Sequence, residues 1–244
     1  MAGAAELWSE TAAITLGLLF FLVGVAHGAG DEQDGTIHPY RLAGAAAYVV
    51  TGLAVAALFM SLPLAGLTLF LLLSAWHFAH STEGQAARKA GFALTAIGGS
   101  ALWQGGATTQ VFAAVLGMDT PPSFILALAG LGATGLALSV WSLARNWRDP
   151  VLLSTIVATA ALHPVLAVAF AFAAGHALPI QQAQIRRYGW RDVAKAAGLT
   201  TVLAVLGALA IAALVVAGNM ALPIAAALAF GMATPHMLAE RLER

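Results

Sequence analysis

From about residue 12 to residue 239 the sequence is a succession of long apolar runs. They lie at about 12–30, 42–60, 64–80, 90–116, 123–144, 151–185, 195–217 and 221–239, separated by breaker segments such as "SLPL", "MDTPPS", "RNWRDP" and "GNMALP". A helix needs about 20 mostly apolar residues to cross a hydrocarbon core of roughly 30 Å. In lipid only helices and closed barrels satisfy every backbone polar group. The runs therefore predict an all-α fold: a polytopic integral membrane helical bundle of about seven to eight transmembrane elements, a single transmembrane helical domain over residues 1–244. Only 9% of residues are charged, against roughly a quarter in a soluble domain. The zero formal net charge offers no basic face for nucleic acid. Cysteine is absent, so any metal site must be built from histidine and carboxylate. The segment preceding the first run, "MAGAAELWSE", has no basic residue, and that run is expected to be a retained span rather than a signal peptide.

The cations set a topology. With the N-terminus outside, Arg41, Arg88, Lys89, Arg145 and Arg148 fall in alternate, cytoplasmic loops. Arg186, Arg187, Arg191 and Lys195 then lie where an outside loop is due, unless residues 151–185 go out and return. That segment is too long for one crossing at about 1.5 Å per residue, and Pro164 in "ALHPVL" supplies a break. With one element broken at Pro164, all 11 Lys and Arg lie on the cytoplasmic side, as the positive-inside rule favours.

On this topology His27, His77, His80, His176 and His236 all fall near cytoplasmic ends of spans. Polar side chains in a membrane bundle usually face its interior, where they pair or bind something. Each imidazole alone is as readily explained by a bond to a neighbouring helix carbonyl; five at one depth point to a shared site. Neutral imidazole suits Fe(II), Zn(II) or Cu(II). The candidate catalytic carboxylate is Asp31, four residues after His27, which is placed to orient the His27 ring through the nitrogen not used for metal. His38, beside Pro39, is expected in a solvated loop, and His163 in a structural role at the outer break.

Four segments, "GVAHGAGD", "SAWHFAHS", "HPVLAVAFAFAAGH" and "ATPHML", resemble in order and spacing the signature regions of the Brp/Blh family of bacterial and archaeal β-carotene 15,15′-dioxygenases. The resemblance runs from Gly24 to Leu238. It implies a multi-pass protein of a bacterial or archaeal cell (inner) membrane that uses Fe(II) and O₂ to cleave β-carotene, or a related carotenoid, at its central double bond. Retinal is the product, for delivery to a microbial rhodopsin. Carried over by position, the resemblance makes His27, His77 and His176 iron ligands and places His236 in the family's Pro-His-Met segment. Three departures stand out. Ile180 occupies the place of a second histidine in the third motif, His80 is inserted into the second, and Ala26 replaces a proline in the first. His80 or His236 is therefore expected to complete the site. The alternative is a non-catalytic carotenoid- or retinal-binding membrane protein of the same fold. A rhodopsin is excluded because Lys89 and Lys195 lie at predicted loop ends, leaving no lysine deep in a span for a Schiff base.

Overall fold

The structure, a computed structural model, describes residues 10–33 and 35–242. The apolar runs fold as helices in the expected order: α1 (Glu10–Gly24), α2 (Leu42–Ser61), α3 (Pro63–Ser81), α4 (Ala86–Trp103), α5 (Gly105–Leu116), α6 (Pro122–Leu143), α7 (Pro150–Ala161), α8 (Pro164–Phe172), α9 (Leu178–Tyr188), α10 (Trp190–Val216) and α11 (Leu222–Leu242). A 3₁₀ turn, Val25–Gly28, follows α1, and a π-helical turn, Ala173–Ala177, joins α8 to α9. Among the described residues, five helical stretches are long and apolar enough to cross a membrane: α2, α3, α6, the continuous Pro164–Tyr188 and α10. The protein is an all-α membrane bundle. One segment departs from the expected loop character: Asp31–Gln33 (β1) pairs antiparallel with Thr36–His38 (β2), Asp31 opposite His38. Gly35, at φ 74°, allows the reversal.

The expected break at Pro164 is present. The His163 imidazole accepts the Val165 N–H at 3.4 Å, with Pro164 in the first turn of α8, where its missing N–H is harmless. A second break corrects the expectation of one span over 90–116: the chain kinks at Gln104, between α4 and α5. The interruption after α7 leaves its last carbonyls without helical donors, and both amide N–H groups of Gln104 reach them, at 3.0 Å to the Thr159 carbonyl and 2.7 Å to that of Leu162.

The contacts divide the chain into two units. The first comprises Met1–Gly24, Ala75–Ala113 and Asp119–Pro179. Its α4 and α6 approach through glycine: a Cβ on Gly98 would collide with the backbone of Gly132, and one on Gly132 with that of Gly98. In lipid, where apolar surface alone drives little association, such close packing supplies the contact energy. Beside it Phe78, Phe92, Ala93, Leu152 and Ala171 form a buried cluster. The α1 helix lies along α8, with Phe20 on Phe170 and Phe21 on Phe172.

The second unit comprises Val25–Ser74, Ala114–Met118 and Ile180–Arg244. Here α2 and α11 approach through Gly52 and Gly231, and Tyr48 donates to the Met232 carbonyl at 2.6 Å. Phe230 stacks on Phe70 and meets Phe59 edge-on. Along α10 large apolar side chains such as Leu199, Leu203 and Leu206 are exposed, as expected of a helix solvated by lipid rather than by protein.

Candidate metal centre

In the first unit, His77 of α3 and His176 of the π turn meet. Their rings are 4.5 Å apart between centroids, inclined at 66°, and only 4% and 2% exposed respectively. Phe78 lies 5.0 Å and Phe172 5.7 Å from the His176 ring, so the pair is walled by aromatic carbon. Gly175 is tight against Phe92, whose ring fills the space a Cβ would need. A π turn inserts one residue into the helical ladder and is found disproportionately at functional positions; here it carries the histidine. His80, by contrast, is exposed, its Nδ1 2.9 Å from the Trp76 carbonyl one turn back. The structure does not group it with His77 and His176.

In the second unit, His27 and His236 meet. The Val25–Gly28 turn presents the buried His27. On α11, Pro235 precedes His236 and cannot donate to the ladder. The two Nε2 atoms are 3.1 Å apart and the rings lie at 87°. The His236 ring rests on Gly28, where any Cβ would overlap it. A separation of 3.1 Å suits one imidazole donating to the other. It equally suits two ligands of one ion, because nitrogens about 2.1 Å from a metal at a right angle stand about 3.0 Å apart.

The turn carrying His27 is held from outside. Tyr40 donates to the Gly28 carbonyl at 3.1 Å, and Gln184 of α9 donates to the His27 carbonyl at 3.2 Å. Gln184 also donates to Glu32 at 2.5 Å, and the Tyr188 hydroxyl donates to the other Glu32 oxygen at 3.3 Å. The expected role of Asp31 concerns a side chain outside the described residues; its backbone is in β1. Glu32, its neighbour, is the carboxylate whose contacts are defined. Sequence reading missed Glu32, Gln184, Tyr188 and Tyr40, and with Gln181 and Gln182 close by nothing in "LPIQQAQIRRY" singles out Gln184. Ile180, at the place of the missing histidine, is half-buried on α9. His38 is exposed on the hairpin, its Nε2 2.7 Å from the Thr36 hydroxyl.

Away from the histidines, Arg88 at the start of α4 forms a two-point ion pair with Asp149, Nε to Oδ2 at 2.5 Å and Nη2 to Oδ1 at 3.4 Å. Asp149 also caps α7, accepting the N–H groups of Val151 and Leu152. Burial pushes its carboxyl up, but Arg88 and the two backbone donors outweigh that and hold it below the ordinary carboxylate range.

A helical membrane bundle whose histidines meet in two pairs, one of them buried among aromatic rings, belongs to the class of polytopic membrane proteins with candidate metal-ligating side chains. The family model of beta-carotene 15,15'-dioxygenase matches residues 18–242. The chain belongs to that family. Neither the curated proteins nor the solved structures provide a match.

Proposed function

We propose that the protein is an Fe(II)-dependent dioxygenase that cleaves β-carotene, or a related carotenoid, at the central double bond to give retinal. The observation that carries this reading is the pairing of imidazoles, His27 with His236 and His77 with His176, drawn from the four histidine-bearing segments that resemble the family. His27, His77 and His176 are the proposed ligands by that resemblance. His236 is preferred over His80 as the further ligand, because its Nε2 already stands at ligand-to-ligand distance from that of His27. Imidazole ligands suit a divalent iron that must keep a position open for O₂.

Iron, when bound, supplies the O₂ chemistry that places one oxygen atom on each carbon of the cleaved double bond. The chain's own residues do the rest. Phe78 and Phe172 keep water from the His176 imidazole, which protects reactive species from hydrolysis. Gly28 lets the His236 ring lie directly on the backbone that presents His27. The substrate dissolves in hydrocarbon and reaches the bundle from the bilayer core. Retinal leaves into the same phase, with a microbial rhodopsin as its acceptor in a bacterial or archaeal cell membrane.

The test is expression in carotene-producing bacteria followed by pigment analysis. Retinal with loss of β-carotene supports the enzyme. The second reading, a carotenoid-binding protein without working iron, is favoured by Ile180 where the family has a histidine; it predicts intact carotenoid bound to iron-free protein.

A further inference from the structure

A single 3₁₀ turn, Val25–Gly28, follows α1, and a helix end leaves carbonyls without intrahelical donors. Near lipid an unsatisfied carbonyl is expensive. The carbonyl of His27 itself receives the Gln184 amide. Gln184 is only 8% exposed, and a primary amide has two N–H donors. Here it serves both the His27 carbonyl and Glu32 Oε1. Tyr188, one turn further along α9, holds the other carboxylate oxygen. The hairpin bearing Glu32 has a second anchor, since Ile37 of β2 packs on Val193 and Ala196 of α10, with Tyr188 against them. Gln184 therefore lies between an anchored carboxylate and the backbone carbonyl of His27.

We propose that Gln184, oriented by Glu32 and Tyr188, is a positioning residue that fixes the backbone turn presenting His27 to the metal. This rests on His27 being a ligand. Supporting groups of this kind typically change metal affinity by about 10- to 100-fold when removed. A carboxylate–amide link could also serve only to attach the hairpin to α9, and a swap separates the two roles. Gln184→Glu removes both donors and sets two carboxylates together. Adding Glu32→Gln restores a donor–acceptor link between positions 32 and 184 but returns no donor to the His27 carbonyl.

The full-length protein in detergent is titrated with Co(II), whose visible absorption reports ligand geometry, and with Fe(II) under anaerobic conditions; thermal unfolding is followed in parallel. The expected result is that Gln184→Glu lowers both melting temperature and metal affinity, the latter by about tenfold or more. The double variant should regain the melting temperature while keeping the weakened affinity and an altered Co(II) spectrum. Recovery of affinity together with stability in the double variant would show the network to be purely architectural and overturn the proposal. So would an unchanged affinity and spectrum in both Gln184→Glu and Gln184→Leu. Wild-type protein that takes up neither metal fails differently: it removes the ligand role of His27, and the proposal with it.

Discussion

The most informative single residues are the imidazoles, because each has a distinct expected consequence. Replacing His27, His77 or His176 by Ala should reduce bound iron to background, measured by metal analysis of purified protein. His236→Ala should weaken iron retention by about tenfold or more, whereas His80→Ala should leave it unchanged, since His80 is exposed and bonded to its own helix. The reverse order would make His80 the compensating ligand. Ile180→His restores the family's residue and should hold or raise iron retention; a large loss would show that this chain's site is built around the isoleucine. The histidines were legible in the sequence because an imidazole in an apolar run is conspicuous and motif order is preserved. Their partners were not. Gln184 meets His27 across 157 residues, and nothing periodic in "LPIQQAQIRRY" marks that one glutamine as buried.

At the scale of the element, the broken helices show what hydropathy can and cannot reveal. Pro164 is readable because a proline must interrupt the ladder. The kink at Gln104 is not, because a glutamine inside an apolar run carries no backbone constraint, and that its side chain serves carbonyls of α7 is visible only in the fold. The hairpin Asp31–His38 was hidden for a related reason, being too short for an alternating pattern to register. Asp149 gives an element-level prediction. Its carboxyl titrates below the ordinary range when folded, so the charged form contributes stability at pH above the unfolded value, near 4. That contribution is lost as pH falls through the lowered folded value. Asp149→Asn keeps an acceptor for the α7 cap but not the charge. Its melting temperature should therefore fall less than that of wild type on acidification below about pH 4, followed by circular dichroism in detergent. Equal acid sensitivity would assign the wild-type loss to other groups. Asp149→Ala removes the cap as well and should destabilise by about 1–2 kcal/mol at neutral pH.

For the whole molecule, the all-α membrane architecture was legible from apolar run length and low charge alone, and the family from four short segments in order. Orientation is a separate question. The cation distribution predicts that Arg41 and Arg186 face the cytoplasm with the N-terminus outside. Because the chain has no cysteine, single cysteines at positions 41 and 186 can be labelled in intact cells with a membrane-impermeant maleimide. Both should be protected until the membrane is opened, and opposite accessibility would contradict an out-and-back path for residues 151–185. The central claim is the iron-dependent reaction. Its most direct measurement supplies purified protein, loaded with Fe(II) without oxygen, with β-carotene in detergent and then ¹⁸O₂, and analyses product and label by mass spectrometry. Two retinal molecules are expected per carotene, each carrying ¹⁸O after correction for exchange with water, and none from His176→Ala. Intact carotene recovered from protein shown to hold iron would contradict it.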